Sequence, residues 1–319
     1  MPRKRSSAAT PPVPPLFKTE ETHPQIAALQ AVAASGDWAA VMACLEGLSP
    51  HDRDFAVRYL ADVEGVEGLL EAAVEEDPHD PLLRTLLADR YVHIGWAIRS
   101  AHRAEHVSRE QFLQLHDWLR RAEQILIEVC AEHPTFALAW EVRLTTAMGL
   151  ELGHSEARRR YARLRSLDPH RFTAQKALLQ QLCPKWRGTW ADAHAFATEC
   201  SESAPVGSPN GAVVALAHIE HWLELDPPQK DTYMKSAVVR DALRRAAARS
   251  VRHPEHREDF RSVGAHNAFA LAFLLGEHEE DAAVHLRVIG NRASGAPWDY
   301  LDDPVTYFTY FRDAALAAG

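Results

Sequence analysis

The chain has 319 residues, 46% hydrophobic and 25% charged, with a formal net charge of −9; this is the mixture of a globular protein long enough to bury a full core. The acidic balance argues against nucleic acid and anionic membrane as partners, and no stretch reaches the roughly 18 apolar residues that span a bilayer. Four cysteines without C-x-x-C spacing (Cys44, Cys130, Cys183, Cys200) read as reduced thiols, packed like small hydrophobes in a cytoplasmic protein.

Charge is unevenly placed along the chain. Residues 1–18 carry four positive charges and no negative ones, while residues 19–80 carry fourteen acids against Arg53 and Arg58, a local net of −12. The simplest reading of the acidic run is a solvated face. Residues 1–22 are rich in Pro, Ser and basic residues, bury little, and are expected to form a disordered tail. The basic head has no apolar run after it, so neither a secretory signal nor an anchor is expected. Residues 23–319 are expected to form one helical domain, with a soft division near 184–210.

Helical signals begin at Pro24, a good first-turn residue. Ile26, Leu29, Val32 and Ala33 then share one face. Gly36-Asp37-Trp38 breaks the pattern, and a second helix follows with Val41, Cys44 and Leu45 inward. Ser49-Pro50 caps a third. A fourth runs from Val66 to Glu75, and Pro81 opens a longer one. Ser108-Arg109-Glu110-Gln111 has the form of a capping box before a long helix that ends at His133-Pro134. Another runs to Leu152; Gly153 breaks it and Ser155 is expected to cap the next, which ends at Asp168-Pro169. A helical segment then reaches Cys183. Thr189 is a cap, with Asp192 favourable to the helix dipole. Pro228 to Arg252 reads as one long basic helix, followed by helices over Glu255–Leu275, Glu277–Ile289 and Pro304–Ala317. Nothing alternates with period two, so no strand is expected, and the chain should be about two-thirds to three-quarters helical.

Four helix-ending prolines share a spacing. Val66, Ala122, Ala157 and Ala242 stand twelve residues before Pro78, Pro134, Pro169 and Pro254, and Leu70, Leu126, Tyr161 and Ala246 stand four residues after the small ones. A small residue lets a neighbouring helix approach, a large one fills the gap one turn later, and proline stops the helix. Ala157, Tyr161 and Pro169 make the chain resemble the tetratricopeptide-repeat family, with Gly36-Asp37-Trp38 and Gly276-Glu277-His278 as turns between the helices of a repeat. Leu182-Cys183-Pro184-Lys185-Trp186, Leu216-Ala217-His218-Ile219-Glu220 and Pro297-Trp298 resemble a group of uncharacterised actinobacterial proteins of that type. The resemblance implies an all-α, right-handed solenoid of helical hairpins, no cofactor, and a non-enzymatic scaffold binding a protein or peptide.

The candidate ligand-binding residues gather around two features. The segment Pro184 to Trp190 sets Trp186 and Trp190 around Lys185, Arg187 and Gly188, where a cation can lie on a ring and a basic side chain can meet a carboxylate. His218 and His221 share one helix face, and they are expected to face a common groove with that segment. His266-Asn267 is a second polar pair. A ligand sensor, or a metal-dependent protein using His218, His221 and His194 or His266, is the alternative. Trp222 and Trp298, with Trp186 and Trp190, could line an aromatic pocket, although tryptophan more often plugs helix joints. The arginines at 158–165 and 240–252 suit an acidic partner or the acidic N-terminal helices. Gly207-Ser208-Pro209-Asn210-Gly211 lacks the strand that a phosphate loop needs.

Overall fold

The structure is a computed structural model that describes residues 13–100 and 106–317. It is 74% helix, and among the described residues it holds 18 α-helices and no strand. The helices are α1 (Thr19–Thr22), α2 (Pro24–Ala34), α3 (Trp38–Glu46), α4 (Pro50–Ala56), α5 (Glu67–Glu76), α6 (Pro81–Arg99), α7 (Arg109–Glu132), α8 (Ala137–Gly149), α9 (His154–Arg165) and α10 (Phe172–Leu182). They continue as α11 (Trp190–Ser203), α12 (Ala212–Leu223), α13 (Pro227–Tyr233), α14 (Ala237–Arg249), α15 (Phe260–Leu275), α16 (Glu279–Ile289), α17 (Gly295–Trp298) and α18 (Pro304–Ala317).

Local chemistry starts these helices. Asp37 and Ser49 accept from the backbone of Ala40 and Asp52. Ser108 and Gln111 form the reciprocal capping box, and the Thr189 hydroxyl accepts from Asp192 N at 3.1 Å. Each satisfies amides that a helix start leaves without a partner. Three boundaries differ from expectation. Gly153, at φ +84°, is the N-cap of α9, and Ser155 lies inside it. The basic run after Pro227 is two helices, because the chain breaks after Tyr233 and Ser236 caps α14. Helix α15 starts at Phe260, after Asp259 caps it, and not at Glu255.

Most helices pack on the next in sequence: α5 on α6, α6 on α7, α7 on α8, α8 on α9, α11 on α12, and α15 on α16. The small-large-proline positions lie at these joints. Val66, Ala122 and Ala157 are buried, as are Leu70, Leu126 and Tyr161, whereas Ala242 is half-buried. Gly36 separates α2 from α3, and Gly276-Glu277-His278 separates α15 from α16. Two cores result. One runs from Ile26 to Leu138, the other from Ala88 to Ala315 without interruption across 184–210. The packing therefore divides near α6, because the side chains flanking 184–210 belong to one apolar cluster.

The ends of the chain meet. Helix α4 packs against α15, Asp52 Oδ1 accepts from Phe260 N at 2.8 Å, and the His23 ring lies 4.7 Å from that of Phe260. Residues 1–12 of the expected tail lie outside the described residues, but residues 13–22 do not form a tail. Leu16 N donates to Asn291 O at 2.9 Å, Phe17 meets Phe308 edge-on at 6.0 Å, and Arg312 Nη1 donates to Val13 O at 3.0 Å. Leu16 and Phe17 give this segment the apolar contacts that its composition underweights. Cys130, Cys183 and Cys200 are buried as expected, but Cys44 is exposed, on the outer side of α3; all four are free thiols. No helix among the described residues is long and apolar enough to cross a membrane.

Candidate functional site

Pro184 opens a 3-10 turn through Trp186, and Arg187 then takes a left-handed conformation at φ +69°. Gly188 must follow, since a Cβ there would lie 1.9 Å from Leu182 O. The turn sends the first three predicted residues in different directions. Lys185 Nζ donates to Glu220 Oε2 at 2.7 Å. Trp186 faces the Trp96 ring at 6.3 Å. Arg187 extends into solvent, within 3.7 Å of Glu151. Glu220 is buried, and besides Lys185 it accepts from Gln180 Nε2 at 2.5 Å and Tyr300 Oη at 2.7 Å. Lys185 therefore fastens the turn to α12, an intramolecular use of its charge.

Trp190 does meet the histidines. Its indole stacks on His221 at 4.3 Å and 11°. One turn along α11, His194 Nε2 lies 2.9 Å from His221 Nδ1. Tyr233 Oη stands 2.8 Å from His218 Nδ1 and 3.3 Å from His194 Nε2. Such contacts between ring nitrogens require one to carry a proton and the other a lone pair. Burial lowers all three imidazoles, helped at His194 by His221 and at His218 by both neighbours. His194 falls to about 4 and His218 to about 3. The cluster is neutral near pH 7 and can share protons along a short chain. Sequence spacing paired His218 with His221 but had no access to Tyr233, which arrives from the break that splits the basic run. Among the described residues no group of three or more His, Cys, Asp or Glu is set to hold a metal ion.

His266 and Asn267 stand apart, inside the core. His266 Nδ1 lies 2.9 Å from His285 Nδ1. Asn267 donates to Val263 O and Arg292 O and accepts from Trp298 Nε1 at 2.7 Å. Trp298 is fully buried, so the four tryptophans do not share a pocket. Several of the arginines pair with other helices: Arg158 with Asp192, Arg165 with Glu199 and Arg244 with Asp281. Arg160 is buried against Glu123 and Glu156.

The seam between the two ends of the chain holds a cleft of about 320 Å³ that local sequence does not announce. Phe55 of α4, and Arg171, Phe172 and Thr173 around the start of α10, form one side; the segments 205–209 and 255–261 form the other. The second side is tightly fixed. Arg249 donates to Ser201 O, Glu202 O and Ala204 O, Ser250 Oγ donates to Ser208 O at 2.7 Å, and His256 Nδ1 lies 2.6 Å from Gly207 O. Gly207, at φ +78°, leaves no room for a side chain, because a Cβ would sit 2.8 Å from His256 N. Buried Asn210 donates to His170 O and Gln175 Oε1, tying this segment to α10. Arg171 binds Glu141, Asp54 at 3.2 Å and Asp168 at 3.5 Å. Burial opposes its charge, but those three acids outweigh it and raise its pKa. His170 Nδ1 and Arg171 Nη2 are buried without a hydrogen-bond partner among the described residues. The turn-rich run Pro205 to Gly211 is visible in the sequence, but only packing against α4 and the start of α10 makes its first five residues, 205–209, a cleft wall. Compared with known proteins, the chain matches no protein-family model and no curated protein.

Proposed function

We propose that this chain is a cytoplasmic, non-enzymatic scaffold, a right-handed solenoid of tetratricopeptide-like helical hairpins, which holds a segment of a protein or peptide partner. Support for the solenoid comes from helices that pack mostly on their neighbours in sequence and from buried small-large positions at the joints. The observation that carries the binding role is the seam cleft. Its volume, about 320 Å³, sits at the lower end of ligand pockets, roughly 300–1,000 Å³, and suits a short extended segment. Its wall is held by hydrogen bonds before any partner arrives, so little ordering cost remains to be met on binding. Phe55, Phe172 and half-exposed Val206 supply apolar contact. Arg257 and His51 stand exposed at the rim, where charged and polar groups set register and specificity.

The test is capture of a partner from the source cell with three single variants. Val206→Glu and Arg257→Glu change the cleft without touching the core, and Arg163→Glu changes an exposed site outside it. The expected result is one partner that binds wild type and Arg163→Glu but is lost from both cleft variants. A partner held equally by all four proteins would move the binding surface elsewhere and overturn this reading.

A further inference from the structure

Beside α13 lies a second depression, of about 540 Å³, whose lining shares no residue with the seam cleft. Trp222 from the end of α12 and Tyr307 and Phe311 from α18 bring three aromatic rings to its lining. All three are half-buried, so their faces remain partly open. Tyr307 and Phe311 lie 4.9 Å apart at 52°. Three exposed acids, Asp231, Glu277 and Glu279, line it beside two lysines, Lys230 and Lys235; among the described residues Lys235 pairs with Glu277 at 2.5 Å, and Asp231 and Glu279 make no ion pair, so acids outnumber bases at the rim. Burial raises the Tyr307 phenol, and the charges of Glu279 and Glu277 raise it further.

The chain itself indicates what chemistry the depression accepts. Lys230 Nζ rests over the Trp222 ring at 4.9 Å and makes no ion pair among the described residues. Its ammonium sits on an indole face although exposed Asp231 is its chain neighbour. A primary ammonium is strongly hydrated and gains little on such a face, whereas a quaternary ammonium is weakly hydrated and gains more. We propose that the depression bounded by Trp222, Tyr307 and Phe311 is a binding site for a trimethylammonium group, with Lys230 as an internal occupant that gives way to it. The acids attract the cation through charge alone, since a trimethylammonium has no N–H to donate to them, and the rings supply the contact. A trimethylammonium group reaches a protein either on a small molecule or on a trimethylated lysine of another chain.

Choline and its neutral isostere 3,3-dimethylbutan-1-ol test the chemistry on the full chain, read by the shift of the Trp222 indole N–H in NMR titration. Choline should bind about threefold to tenfold more tightly than the alcohol, the range of an exposed to partly desolvated cation–π contact. Lys230→Ala should tighten choline binding about threefold or more by freeing the ring, and Glu279→Gln should weaken it about twofold. Trp222→Leu should abolish choline binding, and because Glu279 is exposed outside the core, Glu279→Gln reads the site even if Trp222→Leu fails to fold. A short peptide carrying trimethyllysine, titrated beside its unmethylated form, separates the two sources. Tighter binding of the methylated peptide than of choline assigns the site to a modified protein, and the reverse order assigns it to a small molecule. Equal binding of choline and its isostere, or no tightening in Lys230→Ala, overturns the proposal.

Discussion

Two regions of this chain bury polar groups by opposite means. From α4 to α10 the buried polar groups are mainly charges matched in pairs. Arg58 meets Asp89 at 3.2 Å, Arg171 holds Glu141, and Arg143 and Arg160 both grip Glu123, at 2.7 and 2.8 Å. From α11 to α18 they are mainly neutral rings and amides. Half-buried His194 lies 2.9 Å from half-buried His221, buried His266 lies 2.9 Å from buried His285, and Trp298 donates to Asn267; the Lys185–Glu220 and Arg312–Asp313 pairs are the exceptions. The difference has a physical consequence. A matched charge pair resists protonation until its carboxylate titrates, whereas a buried imidazole pair depends on both rings staying neutral. The two regions should therefore fail under different stresses.

The largest effect should come from breaking a charge pair. Arg171→Leu leaves Glu141 buried, with Arg58 at 3.9 Å as the remaining counter-charge. The expected loss is about 3–5 kcal/mol, while Arg171→Leu combined with Glu141→Leu recovers most of it, since no charge is then left unmatched. Urea unfolding midpoints measure both. A double variant as weak as the single one would mean that lost packing, rather than an orphaned charge, sets the cost.

Acid should separate the regions more cleanly. His194 and His266 have folded pKa values lowered from 6.5 to about 4, in each case first by burial, and His218 is lowered to about 3. Below 6.5 the unfolded chain binds protons that the folded chain refuses. Stability from these groups is therefore complete above 6.5 and is lost as pH falls toward 4. For buried His266 alone the effect is about 3 kcal/mol, from the size of the shift. Burial would raise Glu141, but Arg171 and Arg58 outweigh it and hold it below 4.5, so its contribution fails only at lower pH. Hydrogen exchange at pH 7 and pH 5 should show protection falling in α11–α13 and α15–α16 while α6–α10 keep theirs. Uniform loss across the chain would contradict the division.

Smaller effects test the joints and the termini. Ala157→Leu, at a fully buried position of α9, should cost about 1–3 kcal/mol through overpacking; a neutral result would show that α9 is not closely approached there. Phe17→Ala removes a half-buried ring from Phe308 and should cost about 1–2 kcal/mol, less than a core phenylalanine. The reading of residues 1–22 as a tail expects no change in melting temperature, so this variant decides how much the docked segment contributes.

Much of the helical order was legible because its causes lie within a few residues. Asp37, Ser49, Ser108 with Gln111, and Thr189 cap the helices that their side chains point to, and the spacing from Ala122 to Leu126 or Ala157 to Tyr161 places a small and a large residue on one face. Where two local signals competed, reading by residue type failed: glycine at 153, free to adopt φ +84°, displaced Ser155 as the cap. The site was legible only in fragments. His218 and His221 share a face by spacing alone, but Tyr233 and His194 join them from other helices. Lys185 and Trp186 look free for a ligand in sequence, and tertiary packing gives them Glu220 and Trp96 instead.

Composition and local chemistry by themselves determined that this chain is helical, where most helices begin, and which small residues sit at their joints, because capping and periodicity act over three or four positions. Tertiary structure alone decided that residues 13–22 dock, that the buried histidines pair, and that a cleft exists at all. Those features rest on contacts such as Asp52 with Phe260, 208 positions apart, and no local propensity encodes which distant surface will exclude water from a given side chain.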